Sequence, residues 1–134
     1  MNKLTSILIM IGSIVSIGFG LWHLFIPKIW RWHSYIDINA KELILAVRAI
    51  NVFFSVSLML FGIINMLLAD GNKSNRYSMM VVLSATCFLW LTRLVFQIIY
   101  PQGTINPFLQ YGMLSAFIGV FLCYLISLCM IVAK

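Results

Sequence analysis

Apolar residues fall in four long blocks, roughly 4–26, 42–69, 77–100 and 108–132. The polar stretches PKIWRWHSYIDINAK, DGNKSNR and PQGTINP separate them. Each block reaches the length of about 20 apolar residues that crosses a bilayer as a helix. The strict ten-residue alternation of a membrane barrel strand is absent. The pattern predicts an all-α integral membrane four-helix bundle, one domain over 1–134, with short loops. Pro27, Pro101 and Pro107 sit at block ends, where proline stops or starts a helix. The first block follows Lys3, as a signal peptide would, but its apolar run continues to about Phe25 without a small-x-small cleavage site. It is expected to be a retained helix.

Polar residues inside the blocks are ordered. The second block carries Arg48, Asn51, Ser55, Gly62 and Asn65, the third Thr86, Trp90, Arg93, Gln97 and Tyr100, the first Gly12, Ser16, Gly20 and His23. Spacings of three and four put each set on one helix face. Three helices thus each offer a polar stripe to the bundle interior. With four spans both termini lie on one side, here side A, and the first and third loops on side B. Arg48 is about seven residues inside the second block and Arg93 about eight before Pro101, so both are expected roughly 9–12 Å from side B. Antiparallel threading then gathers His23, Arg48, Asn51, Arg93, Gln97, Tyr100, Gln110 and Tyr111 in the side-B half as candidate ligand-binding residues.

An arginine in hydrocarbon costs about 2.5–3.5 kcal/mol on insertion scales. One account lets both arginines snorkel to side-B phosphates, with Glu42 available to pair with one of them. The other has them line a wet, cationic cavity. The second is favoured, because His23, Asn51 and Gln97 share those faces and are too short to snorkel. In the first loop, KIWRWHSYI combines Trp30, Trp32 and Tyr35 with Lys28 and Arg31, the mixture that rests at headgroup level. As a surface helix it would share Ile29, Trp32 or His33, and Ile36 on one face. Trp30, Trp32 and His33 would form an interfacial lid over the side-B site. Small residues recur every four positions at Gly12, Ser16 and Gly20, and at Ser115, Gly119, Cys123 and Ser127. Such stripes let helices approach closely, here the first against the fourth or one protomer against another.

Composition removes the soluble classes. Hydrophobic residues make up 63% and charged residues 9%, with mean hydropathy +1.04, against about 45–50% and about 25% in soluble domains. The net charge of +6 is spread over helix ends, which suits anionic lipid headgroups and no nucleic acid. Lys3, Lys73, Arg76 and Lys134 on side A slightly outnumber Lys28, Arg31 and Lys41 on side B. That margin places a multi-pass protein in the cell membrane with both termini cytoplasmic. The bias toward Ile, Lys and Asn fits an AT-rich bacterial genome. Cys87, Cys123 and Cys129 lie in apolar segments without a C-x-x-C pair and read as packing residues.

The chemistry that remains is binding. Two histidines and three acids form no metal-ligand pattern. No cofactor is expected; a haem held by His23 and His33, with arginines on its propionates, and a quinone are the two options left open. No catalytic residue is singled out, because no acid lies near either histidine within a helix. Asp37, Glu42 and Asp70 sit at loops and boundaries, so a proton relay lacks its carboxylates. The expected function is binding of an amphiphilic or anionic ligand: a lipid headgroup, a quinone or an anionic metabolite. The alternatives are an accessory subunit of a larger membrane partner and a homo-oligomeric anion channel with Arg48 and Arg93 as charged rings.

Overall fold

The computed structural model describes residues 2–70 and 74–133. Lys73 and Lys134, two of the side-A cations, lie outside the described residues. Four helices follow in order: α1 Lys3–Ile29, α2 Lys41–Ala69, α3 Arg76–Ile99 and α4 Pro107–Val132. All four are long and apolar enough to cross a membrane, and no strand occurs among the described residues. The chain is an all-α, multi-pass membrane protein.

Local sequence sets the ends. The side chains of Asn2, Asn75 and Asn106 accept the backbone N–H groups of Leu4, Tyr77 and Phe108, capping α1, α3 and α4. Pro27 does not end α1 as expected; the helix runs through it to Ile29. The proline removes only its own N–H from the ladder, and the Trp30 N–H closes the final turn on the Ile26 carbonyl. The first loop also departs from expectation. Arg31 adopts a left-handed conformation (φ 51°), which breaks the helical period. A short 3-10 turn, Trp32–Tyr35, follows in place of a surface α-helix.

α1 is the central packing element, lying against α2 and α4, while α3 packs on α4 and the α2–α3 seam is the least intimate. Close approach of α1 to α2 depends on two glycines. A Cβ on Gly20 would fall 2.7 Å from the Ser55 carbonyl oxygen, and one on Gly62 2.7 Å from Ile17 Cγ1 and 3.0 Å from the Ser13 carbonyl oxygen. Against α4, Gly12 lies under the Tyr124 ring. The Tyr124 hydroxyl meets the hydroxyls of Ser13 and Ser16, each at 3.2 Å. The α4 small-residue stripe faces the bundle only toward side A: Ser127 is fully buried and Cys123 half-buried, whereas Ser115 is exposed and Gly119 faces open space. Elsewhere α4 buries Met113, Phe117, Val120 and Tyr124, because α1 already supplies the small surface that bulky side chains fill. Tyr124→Phe is expected to lower stability by about 1 kcal/mol or less per lost bond, the scale of interhelical hydrogen bonds in lipid. An SDS-unfolding midpoint measures it, and an unchanged midpoint would make the hydroxyl network dispensable.

Those glycine contacts also fix relative heights. Pairing Gly20 with Ser55 and Gly62 with Ser13 puts Arg48 level with Pro27, in the last turn of α1. The first turns of α2 therefore project beyond α1 on side B. The Arg93 guanidinium lies 4.6 Å from the centre of the Phe117 ring, and Phe117 meets Phe19 edge-on with ring centres 5.0 Å apart. Arg93 thus stands near the height of Phe19, about 12 Å deeper than Arg48 at 1.5 Å per residue. The expected common depth of the two arginines does not hold. Counting inward from each helix end assumed that all helices end at one level, and α2 does not.

Candidate functional site

The α2–α3 seam is joined toward side A by one buried hydrogen bond, Asn65 Nδ2 donating to Thr86 Oγ1 at 2.7 Å. Toward side B the seam holds a cleft of about 700 Å³. α1 contributes His23, the loops Trp32 and Gln102, α2 Val47, Ile50, Asn51 and Phe54, and α3 Leu89, Thr92, Arg93, Phe96. Tyr100, the residue capping α3, completes the lining.

Among the described residues, Arg93 is the only charged group of this lining. Its Nη2 donates to Gln102 Oε1 at 2.7 Å, and its plane lies over Phe117. A charge-assisted hydrogen bond contributes about 1.5–3 kcal/mol and a desolvated cation–π contact about 2 kcal/mol. Together they offset an insertion cost of about 2.5–3.5 kcal/mol. The side chain is therefore held in place, but both partners are neutral. The three acids of the chain, Asp37, Glu42 and Asp70, are all exposed. A guanidinium is a fork of N–H donors with no acceptor, and only one nitrogen of this fork is spent on a protein hydrogen bond among the described residues.

His23 and Asn51 form the second polar level. The α1–α2 register places them at one height, about one turn above Arg93. The His23 ring sits among aromatic rings, with centres 4.7 Å from Phe54, 5.7 Å from Phe19 and 6.2 Å from Trp32. His23 Nδ1 and Asn51 Oδ1 are buried beside one another, a ring nitrogen facing an amide oxygen, and neither has a partner beyond the other among the described residues. Buried polar atoms so sparsely partnered are uncommon in folded proteins. Here two occur side by side on the wall of one cleft.

The other sequence candidates separate. Tyr100 lines the cleft at its side-B mouth. Gln97 is buried but does not line it. Its Nε2 donates to the Gln102 carbonyl at 3.0 Å and its Oε1 accepts the Gln102 N–H at 3.4 Å, docking the third loop on α3. Arg48 is exposed and off the cleft, at the height of the helix ends. Gln110 is half-buried and Tyr111 exposed, both on α4 and off this cleft. Of the lid, Trp32 lines the cleft against His23, Trp30 packs edge-on against Trp22 with ring centres 6.2 Å apart, and His33 is exposed. Sequence reasoning missed Gln102. Its position five residues beyond Gln97, in the turn PQG, was the available signal. It also passed over Thr92, Phe54 and Phe96, whose faces are set by which helix is the neighbour.

A smaller cleft of about 350 Å³ lies between α1 and α4, lined only by apolar and aromatic residues such as Trp22, Leu109 and Phe117. It carries no polar chemistry. Among the described residues no three His, Cys, Asp or Glu side chains gather in metal-binding geometry. What the larger cleft presents is the N–H fork of Arg93 and the hydroxyl of Tyr100, together with the His23 ring and an Asn51 amide that carries both N–H groups and an acceptor oxygen, facing the apolar walls of Val47, Ile50, Phe54, Leu89 and Phe96. That arrangement recognises an oxygen acceptor attached to an apolar body. Comparison of the chain with protein-family models, with curated proteins and with solved structures gives no match.

Proposed function

We propose that the protein binds a membrane amphiphile with an anionic or carbonyl head in the α2–α3 cleft. One observation carries this reading: a fixed arginine with no acidic partner shares an apolar cleft with a buried His23–Asn51 pair that has no other hydrogen-bond partner among the described residues. An arginine retained only to reach lipid phosphates would sit as Arg48 does, exposed at the helix ends. The height difference between Arg48 and Arg93 also weighs against the two forming rings of one anion channel. The shallow α2–α3 contact supports a second reading, an accessory subunit whose larger partner inserts a helix into the same seam. With Arg48 level with the last turn of α1, side B carries four cations, as many as side A. The charge count then supports neither orientation over the other.

Native mass spectrometry of the gently solubilised protein tests the binding reading. A monomer carrying a reproducible adduct of one small amphiphile is expected. Leu89 lines the apolar wall, so Leu89→Trp should fill the cleft and remove the adduct while the helix content measured by circular dichroism stays the same. A bare symmetric oligomer, or an adduct indifferent to Leu89→Trp, would overturn the reading.

A further inference from the structure

We propose that the ligand is a membrane-soluble quinone, a conjugated ring with two carbonyl oxygens; this rests on the cleft being a ligand site. Depth separates the candidate ligands. A phospholipid phosphate belongs beyond the apolar helix ends; Arg48 stands level with the last turn of α1 on side B, and Arg93 lies about 12 Å below it. Drawing a diester anion down to that level strips its hydration, which is the expensive part of placing a charge in hydrocarbon. A quinone ring carries no charge and already resides among the acyl chains.

The route and the fit agree with the depth. The cleft rim on α2 and α3 is apolar and outward-facing, Ile50 being 68% and Phe96 55% exposed. An apolar ligand can therefore enter sideways from the bilayer and leave its tail there. Inside, the lining rings of His23 and Phe54 suit a flat conjugated partner. The polar groups stand at two heights about one helical turn apart, Arg93 below and His23 with Asn51 above. One ring oxygen would accept from the Arg93 guanidinium, and the other stands level with the N–H groups of the Asn51 amide and the His23 ring, while Asn51 Oδ1 is an acceptor that a carbonyl leaves unmet. A soluble anionic metabolite would use the arginine but leave the apolar walls empty. A fatty acid would use the walls but supply an acceptor at one height only.

The test is a titration of the full-length protein, in phosphatidylcholine nanodiscs, with a short-chain ubiquinone. Trp32 lines the cleft and its fluorescence is quenched by a bound quinone, so saturable quenching is expected. Arg93→Gln and Asn51→Ala, on opposite walls, should each weaken binding about tenfold or more. Adding phosphatidylglycerol to the nanodiscs should leave the titration unchanged. Absence of saturable quenching, or variants that titrate like the parent, would overturn the quinone assignment. If phosphatidylglycerol competes through Arg93, the quinone fails while the cleft remains a binding site. If neither quinone nor lipid binds and native mass spectrometry shows no adduct, both readings fail. Circular dichroism of each variant separates lost binding from lost fold, and two variants on different helices keep the result readable if one misfolds.

Discussion

Gly20→Leu is expected to abolish stable packing of α1 against α2, and the folded bundle with it. The position has no room for even one added carbon. A Cβ there would lie 2.7 Å from the Ser55 carbonyl oxygen and 2.9 Å from Met59 Cγ. The first obstacle is backbone and cannot rotate away, so the helices must separate. Overpacking of an adaptable core costs about 1–3 kcal/mol. Separating the most extensively packed helix pair of the bundle exceeds that, because dispersion contacts between closely packed surfaces are the main attraction between helices in lipid. Gly18→Leu supplies the control: nothing lies within 4 Å of a Cβ there, and its stability should match the parent. The comparison is made by SDS titration followed by circular dichroism. Equal midpoints for Gly20→Leu and Gly18→Leu would refute the register of α1 on α2. That register also sets the height of Arg48 and the pairing of His23 with Asn51, so those assignments would fall with it.

The four spans, their polar stripes and the inward face of α1 were legible because each is a property of one helix. Gly12, Ser16 and Gly20 are buried as their spacing predicts, and so are Asn51, Ser55, Gly62 and Asn65 on α2. What one helix presents to another is a relation between two sequences, and there the reading failed in specific ways. Ser115 and Gly119 repeat as regularly as the α1 glycines, but α4 is apolar on every side and its small residues do not say which side is inside. Arg48 and Arg93 look equivalent when counted from helix ends. They part because α2 begins above its neighbours and because Arg93 alone has Phe117 and Gln102 to hold it. Gln97 shares the stripe that includes Arg93, but it is spent on the backbone of Gln102. A loop's demand for hydrogen bonds is invisible until the loop is closed.

The double substitution His23→Phe with Asn51→Leu is expected to keep or raise stability while removing the ligand. Both native side chains bury a polar atom with no partner beyond each other among the described residues, and a buried polar group that is not fully satisfied costs about 1–3 kcal/mol. Replacing both by apolar groups of similar shape removes that cost. Phe at 23 should retain the ring contacts that His23 now makes with Phe54, Phe19 and Trp32, and Leu at 51 fills much the same volume as the amide. The bundle would then lose only the groups that meet the ligand head, so affinity should fall about a hundredfold if each contributes about tenfold. A purely structural pair predicts the reverse. If His23 and Asn51 served to hold α1 to α2, each single substitution would lower the unfolding midpoint, the double would not recover it, and quinone or lipid binding would survive in whatever fraction remains folded. Unfolding midpoints and ligand titrations on the two single variants and the double form one cycle that separates these cases. A positive stability effect coupled to lost binding identifies a site whose polarity is kept at the expense of packing, which is the ordinary mark of a binding cleft in an apolar bundle.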